Sequence, residues 1–243
     1  MRLKDKIIVI TGCTSGIGYQ LTKQLQKENE LIVIGRNEQK LKALEVEFLG
    51  LRTYCADLSQ HNQIEEVGRA IAKDYEHIDL LINNAAVQHE ECLQDSAFQY
   101  TTIREEITVN FTAVCSLVYL LLPCLLHDKE AAILNINSAL SLTPKTSSAI
   151  YCGTKGALNI FSQSLRYQLD RSNIKVLQAF LELVDTSMTQ GRGKNKISAK
   201  EAALKIIQGV EQGVEDNYFG KVKLLRLLLR IAPSLATKIM KKH

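Results

Sequence analysis

The sequence predicts an α/β protein, built as a single doubly wound parallel sheet with helices on both faces. Short, β-branched apolar runs alternate with longer amphipathic stretches over most of the chain. Runs that are apolar throughout are typical of parallel strands buried on both faces, and their alternation with helices builds such a sheet. The chain has 243 residues, of which 46% are hydrophobic. That size suits one well-buried domain over residues 1–243.

The predicted elements follow from local pattern. Five apolar runs bounded by polar residues or glycine are predicted as strands, and they cover residues 7–10, 31–34, 78–83, 132–136 and 174–180. Residues 51–56 are a weaker strand candidate. Helices are predicted over residues 16–27, 37–48, 59–75, 101–126, 149–170 and 198–212. In the third of these, Ile64, Val67 and Ile71 fall on one helix face.

Charge and cysteine content narrow the class of protein. The formal net charge is +4, but from Arg192 onward 12 Lys/Arg stand against 4 Asp/Glu. The protein is therefore near neutral with a basic C-terminal fifth, and we expect no nucleic-acid partner. Six scattered cysteines include no C-x-x-C pair. This pattern favours a reducing, cytoplasmic setting and predicts no metal site.

Targeting and membrane signals are weak. The first ten residues have too few consecutive apolar residues for a signal sequence. The longest apolar run, residues 114–126, contains Pro123 and falls short of the roughly 20 residues that a span needs. We therefore expect a soluble protein.

A glycine-rich turn joins the first predicted strand to the first predicted helix. It reads TGCTSGIG, with Gly12, Gly16 and Gly18. Glycines let the backbone approach a pyrophosphate closely, and the helix start offers free N–H donors and a positive dipole end. Glycine also occurs in turns that bind nothing, but this position favours nucleotide binding.

The spacing Gly-x-x-x-Gly-x-Gly resembles that of the classical short-chain dehydrogenases/reductases, and the whole chain is similar to that family. The resemblance implies a Rossmann-type fold that binds a nicotinamide dinucleotide. The loop residues that it assigns to the cofactor are Gly12, Thr14, Ser15, Gly16, Ile17 and Gly18.

The second predicted strand bears on the choice of cofactor. Sites for NAD usually carry a carboxylate about 20 residues after the loop, which holds the ribose 2′-hydroxyl. Here the strand ends in Gly35-Arg36-Asn37. The planar guanidinium of Arg36 can pair with a 2′-phosphate, so we expect NADP(H) to be preferred over NAD(H). The alternative is that Arg36 is a solvated loop cation.

Further matches to the family follow the third, fourth and sixth strands. Asp57-Leu58 resembles the pair that contacts the adenine ring, and Asn84-Ala85 lies in a turn that resembles the family's Asn-Asn-Ala-Gly. After the sixth strand, Leu181-Glu182 replaces the family's Pro-Gly. Beyond it the family pattern resumes, and the resemblance assigns Val184 and Thr186 to the nicotinamide end.

A Tyr-x-x-x-Lys motif occurs twice, as Tyr19/Lys23 and Tyr151/Lys155. An i, i+4 pair after the phosphate loop has an ordinary surface explanation. Tyr151/Lys155 is different because Asn110 and Ser138 precede it with the spacing of the family's Asn-Ser-Tyr-Lys tetrad. Asn110, Ser138, Tyr151 and Lys155 are thus the predicted catalytic residues, and Tyr151 and Lys155 also contact the cofactor by resemblance.

The chemistry suits these residue types. Tyr titrates near pKa 10, and a neighbouring ammonium together with the oxidised nicotinamide favours the phenolate. We therefore predict that Tyr151 is the general acid/base, that Lys155 tunes it, and that Ser138 stabilises the substrate oxygen. By resemblance, Asn110 supports a water that relays the proton. The predicted substrate is a small molecule with a carbonyl or secondary alcohol.

The substrate side and the tail leave alternatives open. Residues 87–100, 139–148 and 187–196 are predicted to shape the pocket. For the basic stretch 191–196 we favour a solvated loop over a lid that attracts an anionic substrate. In the tail, 221–243, Val222, Leu225, Leu228 and Leu229 share a face. We favour packing of the tail over the pocket or against another subunit, with contact to an anionic membrane as the alternative.

By resemblance we expect a homodimer or homotetramer. The rival reading is a non-catalytic nucleotide-binding regulator, or a membrane-peripheral interaction protein, on the same fold.

Overall fold

The computed structural model describes residues 1–193 and 195–242. Lys194, part of the basic stretch, and His243, at the end of the tail, lie outside the described residues. The strands are β1 (Ile7–Thr11), β2 (Glu30–Gly35), β3 (Arg52–Cys55), β4 (Leu80–Asn83), β5 (Ala131–Ser138), β6 (Ile174–Leu181), β7 (Val184–Asp185), β8 (Ile197–Ser198) and β9 (Asp216–Tyr218). The α-helices are α1 (Gly16–Leu25), α2 (Glu38–Glu47), α3 (His61–Asp74), α4 (Tyr100–Ile107), α5 (Ala113–Leu125), α6 (Ala149–Gln168), α7 (Ala199–Glu211), α8 (Lys221–Ile231) and α9 (Pro233–Met240).

The central sheet confirms the predicted fold class. Its seven strands are parallel in the order β3-β2-β1-β4-β5-β6-β9, while β7 and β8 form a separate short ribbon. The chain runs outward from β1 to β3 and then crosses back to β4. Strand order thus reverses between β1 and β4, and in open α/β sheets ligands bind in the crevice at the carboxyl ends of such strands.

Two apolar cores cover the two faces of the sheet. One contains Leu21 of α1, Leu44 of α2 and Ile206 of α7. The other contains Leu121 of α5 and Leu165 of α6, together with residues of α3. Burial on both faces explains why the central strands are apolar throughout, since neither face of such a strand meets water.

The sequence did not predict the two-residue strands β7 and β8, and the structure differs from the sequence expectation in three further places. The sequence pattern misses β9, a three-residue polar strand at the edge of the sheet. The helix predicted over 101–126 is α4 and α5 joined by a π-helical turn, Thr108–Thr112. The tail is two helices, because Pro233 cannot continue α8 and instead begins α9.

One helical stretch, Tyr100–Leu125, is long and apolar enough to cross a membrane by length and composition alone. Pro123 lies within its last turn. Core helices of soluble proteins meet the same criterion. This one buries Leu117, Leu121 and Leu125 in the core that it shares with α3.

Candidate active site

The phosphate loop follows β1 at the crevice. Gly12 and Gly16 have φ of +69° and +54°, which L side chains rarely adopt. A Cβ on Gly18 would lie 2.0 Å from the Gly12 carbonyl oxygen, so only glycine fits there. Ser15 is the N-cap of α1, and among the described residues its side chain makes no capping hydrogen bond. The first-turn N–H groups therefore stay available, and this cradle fits a dinucleotide pyrophosphate.

Asn84 holds the loop against β4. Its Nδ2 donates to the Thr11 carbonyl oxygen at 3.0 Å and to the Gly12 carbonyl oxygen at 3.2 Å. In return, the backbone N–H groups of Asn84 and Ala85 donate to Thr11 Oγ1, each at 3.0 Å. These bonds join the carboxyl ends of β1 and β4, where strand order reverses, and fix the shape of the cradle.

The opposite side of the cradle is formed by Thr186. A Cβ on Gly16 would lie 3.1 Å from Thr186 Cγ2, so the segment after β6 reaches the phosphate loop. Thr186 caps a short 3-10 turn by a capping box with Thr189, and Val184 is buried in β7. The structure thus brings these two predicted nicotinamide-end residues to the same crevice as the loop.

Arg36 and Asp57 follow β2 and β3 at the other end of the crevice. The Arg36 side chain is 66% exposed, and its Nη1 lies 3.9 Å from Glu105 Oε1. An exposed pair at this distance holds the guanidinium weakly, which leaves it free to meet a ligand. Asp57 Oδ1 accepts from the Ser59 backbone N–H at 2.9 Å, and Leu58 is buried beside it.

The π-helical turn brings Asn110 into the site. Its Oδ1 accepts from the Val87 N–H and its Nδ2 donates to the Val87 carbonyl oxygen, both at 2.8 Å. The same Nδ2 lies 3.3 Å from Thr154 Oγ1 on α6. The wider turn rotates Asn110 inward, a frequent use of π-helical turns at functional sites. Asn110 therefore ties the segment after β4 to the helix that carries Tyr151.

Ser138, Tyr151 and Lys155 meet at the carboxyl end of β5. Tyr151 and Lys155 lie one turn apart on α6, with Lys155 Nζ 5.7 Å from the Tyr151 ring centroid. Lys155 Nζ donates to the Ile136 carbonyl oxygen at 2.8 Å. Ser138 ends β5, and its side chain interacts with the Tyr151 hydroxyl. The structure therefore brings together the catalytic residues predicted from the sequence.

Burial is the main cause of the pKa shifts of Tyr151 and Lys155. It raises the pKa of Tyr151 above its usual 10 and lowers the pKa of Lys155 from 10.5 to about 8. The neighbouring Ser138 lowers the pKa of Tyr151 but does not offset burial. In the protein alone the tyrosine is therefore a neutral proton donor, whereas the sequence argument expected a lowered pKa with the oxidised cofactor bound.

Tyr19/Lys23 has the same spacing but different surroundings. Lys23 Nζ lies 5.8 Å from the Tyr19 ring centroid, and the Tyr19 hydroxyl donates to Glu47 Oε1 at 2.6 Å on the surface. No tetrad partner adjoins this pair within the described chain. The two Tyr/Lys pairs therefore have similar spacing along their helices but differ in burial and in the residues around them.

Glu182 explains the departure from the family's Pro-Gly. Its Oε2 accepts from the Lys221 N–H at 3.4 Å, at the start of α8. Gly220 precedes that helix with φ of +44°, and a Cβ there would collide with the Glu182 carboxyl group. A carboxylate at a helix N-terminus is favourable. The Glu182 side chain therefore faces the start of α8 and stabilises the N-terminus of this tail helix.

A cluster of charged side chains that the sequence did not predict lies beside the site. Glu90 Oε1 accepts from Lys145 Nζ at 2.6 Å, from Arg192 Nη1 at 2.9 Å and from Ser148 Oγ at 3.2 Å. Arg192 Nη1 also donates to Gln88 Oε1 at 2.8 Å. Arg192 of the basic stretch is therefore held by side-chain hydrogen bonds, which differs from the predicted solvated loop. Because its partners lie up to 104 residues apart in sequence, no local pattern reveals the cluster.

No group of three or more His, Cys, Asp or Glu side chains is placed to hold a metal ion within residues 1–193 and 195–242.

The fold and this site define an NAD(P)-binding oxidoreductase with the Rossmann fold. The family model described as short chain dehydrogenase matches residues 6–197. The protein belongs to the short-chain dehydrogenase/reductase family.

Two curated relatives span nearly the whole chain. The uncharacterized oxidoreductase DltE of Bacillus subtilis is 30% identical over 233 residues, which is 93% of this chain and 92% of that protein. A fatty acyl-CoA reductase of Acinetobacter baylyi is 26% identical over 247 residues, covering 98% of this chain and 84% of that protein.

Solved structures that share this fold contain NADP in one case and NAD in another. A short chain dehydrogenase of Burkholderia cenocepacia in complex with NADP superposes with a TM-score of 0.88 at 21% identity, covering 99% of both chains. A short chain dehydrogenase/reductase of Burkholderia phymatum in complex with NAD gives 0.82 at 18% identity, covering 95% of this chain and 96% of that one. At such identities the likeness concerns the fold.

Proposed function

We propose that the protein interconverts a carbonyl compound and a secondary alcohol with NADP(H), and that Tyr151 is the general acid/base. The observation that carries this proposal is the convergence of Ser138, Tyr151 and Lys155 at the strand ends beside the phosphate loop. A binding module gains nothing from burying a lysine beside a tyrosine at a cost in stability. The intact tetrad therefore favours an enzyme over a regulator.

Each side chain has a distinct task in the proposed reaction. The bound nicotinamide supplies or accepts the hydride. The neutral Tyr151 hydroxyl donates its proton to the substrate oxygen during reduction, and Ser138 donates a hydrogen bond to the same oxygen. The Lys155 ammonium lies one turn from Tyr151 and favours the phenolate that remains.

Asn110 has a positioning role in this scheme. Its amide is bonded to both backbone groups of Val87 and to Thr154. It therefore fixes α6 relative to the segment after β4, and it supports the proposed relay of protons from Tyr151 to solvent.

Arg36 is the basis of the proposed cofactor preference. It stands at the end of β2, where an NAD site usually carries a carboxylate, and its guanidinium is mostly exposed. Neighbours with the same fold bind either NADP or NAD, so the preference rests on this residue. Asp57 and Leu58 are proposed to contact the adenine end.

The experiment follows NADPH and NADH oxidation over ketones, aldehydes and quinones. Long-chain aldehydes and acyl thioesters belong in the panel because of the Acinetobacter relative. Tyr151→Phe should bind NADPH normally and lose about 100-fold or more in turnover. Tyr19→Phe, in the surface copy of the motif, is the matched control and should keep wild-type turnover. Undiminished turnover in Tyr151→Phe would refute the assignment.

Self-association is proposed through the two long helices. Tyr119 of α5 and Ile160 and Tyr167 of α6 are 76%, 65% and 77% exposed. Exposed apolar side chains on adjacent helices are typical of subunit interfaces. Sedimentation velocity should give a homodimer or homotetramer, and Ile160→Glu should reduce it to a smaller species. A cytoplasmic location remains an expectation.

A further inference from the structure

The tail helices α8 and α9 form a basic, apolar surface that the proposed reaction does not use. Seven Lys/Arg and no Asp/Glu fall within residues 221–242. Of the described residues in that segment, only Val222 and Ala236 are buried. We propose that this surface binds the headgroup region of an anionic lipid membrane.

The first step is the division of α8 into two apolar faces. The face identified from the sequence packs inward, with Val222 buried and Leu225, Leu228 and Leu229 half-buried. A second row consists of Leu224, Leu227 and Ile231, spaced i, i+3 and i+7. These side chains are 66%, 53% and 70% exposed. Such a row on the solvent side has no role in the core of this chain.

Basic residues accompany the exposed row. Lys223, Arg226 and Arg230 of α8 are exposed, and the Arg226 guanidinium also lies over the Tyr218 ring, 4.5 Å from its centroid. An interfacial helix has this composition, with apolar side chains that enter the acyl boundary and cations that meet the headgroups. In α9, Leu235 and Ile239 are 50% and 42% exposed, one turn apart. Each tail helix thus carries exposed apolar residues and cations.

Charge decides between a membrane and a second copy of the chain. A self-complementary contact through the tail would bring two sets of seven cations together without a carboxylate in either segment. Like charges oppose such a contact, and charged residues are depleted at the centres of protein interfaces. An anionic lipid surface attracts the same charges, by about fivefold in affinity for each basic residue near the surface.

The ends of the tail place this surface beside the substrate side of the site. The Lys221 N–H at the start of α8 meets Glu182, next to the end of β6. After α9, the Lys241 carbonyl oxygen accepts from Thr146 Oγ1 at 2.6 Å. Thr146 belongs to the segment predicted to line the pocket. A membrane bound to the tail would therefore lie close to the opening of the site.

Flotation with vesicles tests the proposal without requiring turnover, so its outcome is independent of the proposed reaction. The full chain is mixed with vesicles of phosphatidylcholine alone or with about 30% phosphatidylserine. We expect binding to the anionic vesicles that is more than tenfold stronger and that weakens from 50 to 500 mM salt. Equal binding to both vesicles, or binding to neither, would overturn the proposal.

Surface variants separate the two components of the binding. Leu227→Glu should abolish flotation, and Lys223→Gln/Arg230→Gln should weaken it about twentyfold. The matched controls are Leu49→Glu, at a 91% exposed position in the turn after α2, and Lys27→Gln/Lys73→Gln; both should float like the wild type. Thermal unfolding checks that each variant is folded.

The alternative occupant gives a different result. If a second copy covers this face, Leu227→Glu lowers the sedimentation coefficient, and the wild type does not float with anionic vesicles. That pair of results would assign the surface to self-association and refute membrane binding. Flotation that Leu227→Glu retains would equally refute the assignment to the tail.

Discussion

Replacing Lys155 with Met should change how the stability of the protein depends on pH. Burial lowers the pKa of Lys155 from 10.5 to about 8, because the ammonium loses its hydration inside the domain. Between these two pH values the unfolded chain binds a proton that the folded protein has released. The free energy of unfolding therefore rises with pH across this window. Below pH 8 both states are protonated, and the burial cost is fully present.

The size of this effect follows from the two pKa values. At about 1.4 kcal/mol per pH unit, their difference corresponds to about 3 kcal/mol of stability lost at neutral pH. By pH 9.5 the wild type should regain about 2 kcal/mol of it. Lys155→Met has no ammonium and should show no such gain. At pH 7 its stability should equal or exceed that of the wild type, since the lost bond to the Ile136 carbonyl is offset by the removed burial cost.

Urea unfolding followed by circular dichroism from pH 7.0 to 9.5 measures this difference. Lys23→Met is the matched control, because Lys23 has the same spacing to a tyrosine but lies on the surface. The wild type should gain about 2 kcal/mol relative to Lys155→Met across the range, and nothing relative to Lys23→Met. Parallel profiles for the wild type and Lys155→Met would show that the lysine is not a desolvated cation and would refute the reasoning.

Three further predictions concern other parts of the site. Arg36→Glu should lower kcat/KM with NADPH at least tenfold more than with NADH; steady-state kinetics that give equal losses would contradict the 2′-phosphate role. Asn110→Leu leaves two half-buried backbone groups of Val87 without these partners and should cost about 3 kcal/mol in urea unfolding. Thr154→Val loses the bonds to Asn110 and to the Tyr151 carbonyl oxygen and should cost about 2 kcal/mol. Glu90→Gln should release Arg192 and speed tryptic cleavage there, and an unchanged cleavage rate would show that the cluster does not restrain the segment.

Local sequence was sufficient for the order of the main strands and helices and for the choice of the site residues that the structure brings together. The apolar runs of the central strands predicted burial on both faces, and the sheet has that burial. Tyr151 and Lys155 are one turn apart in any helix, so their proximity follows from their spacing. Gly12, Gly16 and Gly18 predicted a tight turn, and two of them have positive φ.

Features that depend on distant or polar partners were not predictable in the same way. The strand β9 has three polar residues, and it exists because its backbone pairs with β6. The cluster around Glu90 joins segments that approach each other only after the sheet has formed. The role of Glu182 became clear only from its contact with the start of α8.

The sequence by itself determined the fold class, the glycine-rich loop and the spacing of Tyr151 and Lys155, because each is encoded in spacing along one segment or in hydrophobic period. Tertiary structure decided which Tyr-x-x-x-Lys pair is buried, which face of α8 is exposed, and how the pKa of Lys155 is shifted. These properties depend on which groups are removed from water, and the removal is the joint effect of elements that are far apart in the chain.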